Sequence, residues 1–297
     1  MTATAHRTRH LVLTGASGTV ASLVARRLAP TGHRLTLTGR TVPADRPRDA
    51  TAGPGAAVRY LVCDHEDPAS LREAFRGADA VLVVTNDPTR PQQDRNILRA
   101  ALDASVGHLV KLSAAAVHDP GADDLVTSWQ RENERRIRAC GIPWTMIQPR
   151  SFMTHALAWA QDIRARSATA ALHPDSRNAC VAPEDIAEVI ALALTDDVHH
   201  GRSYQLTGPQ ALSAQDQTRI LAELLGRPLT CRALTRSEAR AGFLRRYPPA
   251  MAEALLLSAD RQAAGAKSAT GDTVERLTGR PPTSFTRWAT AHLHRFV

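Results

Sequence analysis

Leu-Val-Leu-Thr-Gly-Ala-Ser-Gly-Thr-Val-Ala, residues 11–21, is an apolar strand that breaks into a glycine turn and continues as a helix. Gly15 permits the tight turn out of the strand, where a Cβ would clash. Gly18 lets backbone N–H groups approach a pyrophosphate closely, and the helix N-terminus beyond adds partial positive charge. The spacing is G-x-x-G-x-x-A rather than G-x-G-x-x-G, with Ala21 where a third glycine would bring helix and strand together. A glycine pair alone is compatible with an ordinary strand-to-helix turn. Here a strand precedes it, and Val20, Leu23, Val24 and Leu28 follow at helical spacing, so the stretch reads as a dinucleotide-binding opening. Thr14, Gly15, Ser17, Gly18, Thr19 and Val20 are its candidate contacts.

Outward from this unit, strands and helices alternate, the pattern of a parallel sheet covered on both faces. Strands are expected at Arg34–Thr38, Val58–Cys63, Ala80–Val84, His108–Leu112 and Trp144–Gln148, with Ser203–Leu206 returning late to the sheet. Residues 41–56, rich in Pro, Gly, Asp and Arg, read as a loop. Asp67 with Pro68 starts a helix that closes at Gly77. Further helices are expected near 91–105 and 126–140, from Pro183, from Ser213 to Gly226 with Asp216 in a capping box, and from a capping-box-like Asp272…Glu275. The chain ends in an amphipathic stretch carrying Phe285, Trp288, Leu293 and Phe296. The expected fold is α/β: a Rossmann doubly wound parallel sheet over residues 8–150, with 183–209 returning to it. A smaller, mainly helical C-terminal substrate lobe is built from 151–182, a helix and an irregular segment, and 210–297.

An apolar content of 43% supports a full core over 297 residues. No stretch approaches the roughly 20 apolar residues of a membrane span, and no secretory apolar region precedes the first strand, so a cytoplasmic protein without membrane attachment is expected. Cys63, Cys140, Cys180 and Cys231 are widely separated and read as reduced, mostly buried thiols. His199-His200 and His292-Leu293-His294 lack companion ligands and read as surface histidine, so no metal is expected. The net charge of +8 comes almost wholly from arginine spread along the chain, with Lys111 and Lys267 the only lysines. That distribution argues against nucleic acid and for a small-molecule partner; monomer and homodimer remain open.

Ligands of such sheets bind beyond the carboxyl ends of the strands, where the strand order reverses. After the second strand, Thr38-Gly39-Arg40 stands where an acidic residue would hold the ribose of NAD. Arg40 suits a 2′-phosphate instead, favouring NADP(H). Asp64 after the third strand can meet the adenine amino group or serve the turn. Thr85-Asn86 would face the middle of the cofactor, Lys111 and Ser113 its nicotinamide end, and Gln148-Pro149 close the sixth strand against it. Lys111 can equally be turned away by strand alternation.

Several stretches resemble one family: Thr14–Gly18; Val110-Lys-Leu-Ser113; Cys140-Gly-Ile-Pro-Trp-Thr-Met-Ile-Gln-Pro149; Ala182-Pro-Glu-Asp-Ile-Ala187; Tyr204–Pro209; and Leu277–Pro282. Across essentially its whole length the chain resembles the NmrA-like group of atypical short-chain dehydrogenase/reductases, which includes bacterial quinone oxidoreductases and nucleotide-sensing regulators. Members of the wider superfamily use a Tyr and, four residues on, a Lys that lowers the phenol's pKa. The only tyrosines here are Tyr60, Tyr204 and Tyr247, and the register from Cys140-Gly141 puts Gln130 and Glu134 at the two positions. Their i, i+4 spacing places both on one helix face, as a catalytic pair or as part of a polar surface. Gln130 cannot deliver a proton, so simple alcohol–ketone chemistry is disfavoured. The resemblance implies an NADPH-dependent reductase of a small planar apolar molecule, a quinone or conjugated enone, whose developing charge Ser113, Gln148 or water stabilises. Phe152, Met153 and His155 are expected to line its pocket. A non-catalytic NADP(H)-sensing regulator and a non-redox isomerase or cyclase of specialised metabolism are the alternatives.

Overall fold

The computed structural model of the chain describes residues 8–41, 49–51 and 57–297, with the backbone alone for 49–51. Eight strands form one sheet: β1 (His10–Leu13), β2 (Arg34–Gly39), β3 (Asp49–Thr51), β4 (Ala57–Val62), β5 (Ala80–Val83), β6 (His108–Leu112), β7 (Trp144–Pro149) and, after a separate β8 (Ala168–Ala171), β9 (Arg202–Leu206). Their order is β3-β4-β2-β1-β5-β6-β7-β9. Neighbours from β4 to β7 run parallel, and β3 is antiparallel to β4. β9 runs with β7: Gly201 N donates to Trp144 O and Arg150 N to Leu206 O.

Every residue of β1 and of β5 is buried, as expected of parallel strands covered on both faces. Chain progression reverses direction between β1 and β5, the switch point beyond whose carboxyl ends sheets of this kind take their ligands. The helices between strands are α1 (Thr19–Leu28), α2 (Pro68–Phe75), α3 (Pro91–Asp103) and α4 (Leu125–Arg138). Val12, Val81, Val83 and Leu109 of the sheet share one core with Phe75 of α2 and Ile97 of α3.

The chain divides into two compact units. The first holds the described residues up to Ser113, with 132–147 and 186–204; the second holds 114–131, 148–185 and 205–297. Residues 114–131 were expected with the dinucleotide core but cluster with the second unit. Arg131 ties them together through the carbonyls of Val117, Asp119 and Ala122. Asp119 and Asp124 then pair with Arg150 and Arg261. The second unit contains α5 (Ala160–Arg166), α7 (Ala214–Leu225), α8 (Arg236–Leu244), α9 (Pro249–Ala263), α10 (Thr273–Thr278) and α11 (Phe285–Ala291). It also contains a parallel pair, β8 with β10 (Thr230–Ala233). The remaining helix, α6 (Pro183–Thr195), carries Ile186, Val189 and Ile190 into the core.

Asp67 and Ser213 cap α2 and α7 as expected, the latter in a full capping box with Asp216. Several expectations are corrected. The 41–56 loop contains β3 at its centre; 42–48 and 52–56 lie outside the described residues. The segment 151–182 contains β8 and a 3₁₀ turn at Met153–Trp159 as well as α5. Asp272 makes no side-chain cap, because its backbone (φ −95, ψ 1) is not the extended conformation that aims a capping side chain. His199 is buried rather than on the surface, bonded to the Tyr204 hydroxyl at 2.8 Å. Of the four thiols only Cys63 is fully buried. No helix of the described residues is long and apolar enough to cross a membrane.

Candidate active site

Gly15 takes a left-handed φ of +65°, which an L side chain adopts at a cost. A Cβ on Gly18 would lie 3.1 Å from the Gly15 carbonyl oxygen. Between them Gly18 N donates to Gly15 O at 2.8 Å, closing the turn. The Thr14 hydroxyl is taken up in stitching β1 to β5, donating to Leu82 O at 2.9 Å and accepting from Val84 N at 2.8 Å. Thr14 thus positions the turn. Val20 faces the core, while Ser17, Gly18 and Thr19 are exposed. No side chain caps α1 and no acidic residue stands in its first turn. The first-turn backbone N–H groups of this ten-residue helix therefore remain open to an anion. This cradle, which a Cβ at Gly18 would crowd, fits a dinucleotide pyrophosphate.

Arg40 is exposed just past β2 and makes no ion pair among the described residues. Asp64 is also exposed, its carboxylate accepting from Glu66 N at 2.9 Å in the turn before α2. Past β5, Asn86 is exposed and Thr85 half-buried. Thr85 sits in a relay: Lys111 Nζ donates to its hydroxyl at 2.9 Å, and the hydroxyl donates to Asp94 Oδ1 at 2.7 Å. Lys111 has no exposed surface, and burial pushes its ammonium below the usual lysine range against the pull of Asp94. Strand alternation has turned it inward, where it orients Thr85.

Ser113, the residue after β6, donates to Glu134 Oε1 at 2.6 Å. Glu134 is 5% exposed, and its other oxygen accepts from Arg138 at 2.9 Å. Arg138 lies over the Trp144 ring, 4.3 Å from the centroid, which fixes the guanidinium. Both carboxylate oxygens thus accept, and the single hydroxyl hydrogen of Ser113 is spent on one of them. Toward a ligand Ser113 presents lone pairs. Gln130, one turn earlier on α4, is buried with a side-chain oxygen that has no partner among the described residues.

In the second unit, Gln148 accepts from His118 Nε2 at 3.0 Å and is fully buried, and Pro149 ends β7. Met153 is buried and packs in the second core, with Ile163, Phe285 and Trp288, and it also lines a small cavity there with Asn178 and Cys180. Phe152 is half-buried and His155 exposed, their rings stacked 6.0 Å apart. Surrounding protein, and then the charge of Lys267, hold the His155 imidazole below its ordinary pKa. Sequence reasoning missed Lys267. Its Nζ donates to Ser258 Oγ at 2.7 Å. Burial first and Arg261 next bring its ammonium down to about 8. The available signal was lysine's rarity in an arginine-rich chain.

Residues 15–197 match the family model described as NAD(P)H-binding. Over 287 residues the chain is 44% identical to a (4-alkanoyl-5-oxo-2,5-dihydrofuran-3-yl)methyl phosphate reductase of Streptomyces griseus subsp. griseus, covering 97% of this chain and 99% of the relative. It is 30% identical to an NAD(P)H azoreductase of Xenophilus azovorans, with 96% and 99% covered. An NADPH-dependent quinone oxidoreductase from Escherichia coli, solved with NADPH, superposes with a TM-score of 0.81 at 23% identity, covering 96% of this chain and 99% of that one.

Proposed function

Because this chain belongs to the NAD(P)H-binding family and is an NAD(P)H-dependent reductase, we propose that it uses NADPH to reduce the carbon–carbon double bond of a conjugated enone. The substrate class is an alkanoyl butenolide carrying a phosphate ester, as in the name of its 44%-identical relative. The observation that carries this reading is the Ser113–Glu134–Arg138 chain. A ketone reductase must protonate the alkoxide as it forms, and losing that acid costs on the order of 10²–10⁴ in rate. Here Glu134 accepts on both oxygens and Ser113 has given its hydrogen away.

An enone does not need a strong acid at the carbon attacked. In the butenolide, the ring double bond is conjugated to both the lactone and the alkanoyl carbonyl. When bound, the reduced nicotinamide supplies a hydride to the β-carbon. The electron pair then spreads over two carbonyl oxygens, and the α-carbon takes its proton from water. The exposed first turn of α1 binds the pyrophosphate, and Arg40 pairs with the 2′-phosphate. The Lys111–Thr85–Asp94 relay holds the loop after β5. Ser113 offers an acceptor, suited to a carboxamide N–H or a ribose hydroxyl.

The test follows NADPH absorbance with a butenolide and with a saturated ketone of the same ring. Turnover of the enone, with the ketone at least about 100-fold slower, is expected. Comparable ketone reduction, or no consumption with any enone, overturns the proposal.

A further inference from the structure

Lys267 is a buried cation with no ion-pair partner among the described residues. The other cations in its surroundings are neutralised: Arg150 by Asp119 at 2.8 Å and Arg261 by Asp124 at 2.5 Å. Lys267 is only 8% exposed, and no carboxylate among the described residues lies within ion-pair distance of it. Its remaining titratable neighbours are uncharged near pH 7. Burial pushes the Cys180 thiol up to about 11, and the protein packed around the His155 ring together with the charge of Lys267 lowers the imidazole from 6.5.

The hydrogen bonding is one-sided as well. Of the three ammonium hydrogens, one goes to Ser258 Oγ at 2.7 Å, and the other two have no protein acceptor among the described residues. Ser258 accepts that bond and keeps its own O–H to donate. The pair therefore presents three donors and a positive charge with no acceptor among the described residues. Burying an ammonium in this state is costly. Its neighbours supply no purpose for it within the fold.

We infer that Lys267 and Ser258 form an oxyanion site that holds the phosphate ester of the substrate. A phosphate monoester has three terminal oxygens to accept from these donors, and its charge would supply the ion pair that Lys267 lacks among the described residues. The identity of the ligand rests on the butenolide-phosphate reading above; the presence of an oxyanion site does not.

The decisive measurement is calorimetric titration of phenyl phosphate into protein saturated with NADP⁺, so that the phosphate positions of the dinucleotide are already filled. Wild type is expected to bind one equivalent, Lys267→Met at least about tenfold more weakly, and Ser258→Ala with a smaller loss. Lys267→Met should also raise the thermal midpoint of the ligand-free protein, because it removes an uncompensated buried charge. In turnover, the ratio of kcat/KM for the phosphorylated butenolide to that for its free alcohol should fall in Lys267→Met, through KM. Unchanged phenyl phosphate binding in that variant overturns the site, and so does a lowered thermal midpoint, which would mark a structural lysine. An equal loss of kcat on ester and alcohol also overturns it, by making Lys267 a proton donor. If wild type consumes no NADPH with any enone while phenyl phosphate binding still requires Lys267, the reductase reading fails and the oxyanion site stands.

Discussion

The two lysines of this chain are both buried, yet the fold treats them in opposite ways. Lys111 is given Thr85 as acceptor and Asp94 beyond it, so removing the ammonium strands a buried carboxylate. Lys111→Met is therefore expected to lower the free energy of unfolding by about 3 kcal/mol, and Asp94→Asn in the same background to restore a good part of it. Urea unfolding of the two singles and the double checks this; additive losses would mean that the pair is not a unit. Arg40 lies at the other extreme, exposed and without an ion pair among the described residues. Its proposed work is done on the ligand, so Arg40→Ser should leave stability nearly unchanged. The ratio of kcat/KM for NADPH to that for NADH should drop by about 10- to 100-fold, the worth of a charge-assisted hydrogen bond. An unaltered ratio would remove Arg40 from the 2′-phosphate.

At the scale of elements, what was legible in the sequence is what local chemistry decides. β1 and β5 are short apolar runs buried on both faces, and the caps at Asp67 and Ser213 use a side chain two or three residues from its donor. Ser213→Ala should accordingly cost about 1 kcal/mol, read as a lower urea midpoint with an unchanged slope. The elements not foreseen lack such signals. β3 is three residues inside a Pro- and Gly-rich stretch, and β8 reads Ala-Thr-Ala-Ala, with no alternation to mark a strand. The site divides in the same way. The glycine turn and the Gln130/Glu134 register are fixed spacings along the chain and could be read directly. That Glu134 bonds Ser113 and that Met153 enters a core with Trp288 depend on residues 21 or more positions away, and that Lys267 has no carboxylate partner among the described residues depends on Asp119 and Asp124 being paired with arginines. Spacing carries no record of those neighbours.

The response of the whole molecule to acid follows from histidines built into its first unit. On β6, His108 Nε2 lies 2.9 Å from Thr145 Oγ1, whose only hydrogen is donated to His199 O at 2.7 Å. His108 must therefore donate through Nε2, which leaves Nδ1 as a buried lone pair without a partner among the described residues. Protonating Nδ1 would bury an unsatisfied N–H beside the His200 ring, 4.3 Å away between centroids. Burial first, and then His200, lower the His108 pKa to about 3; burial also lowers those of His10 and His199. A histidine whose native pKa lies below its unfolded value of 6.5 supports the fold above pH 6.5 and loses that support as pH falls toward its native pKa. From about pH 7.5 to about pH 5.5, His108 alone should cost about 1 kcal/mol, and the other imidazoles add in the same direction. The urea midpoint should drop over that interval. His108→Asn, which keeps an N–H for Thr145 but cannot titrate, should make the drop shallower whatever it does to stability at neutral pH. A midpoint that holds or rises on acidification would show that other groups outweigh the histidines. An unchanged slope in His108→Asn would mean that the proton is taken up elsewhere.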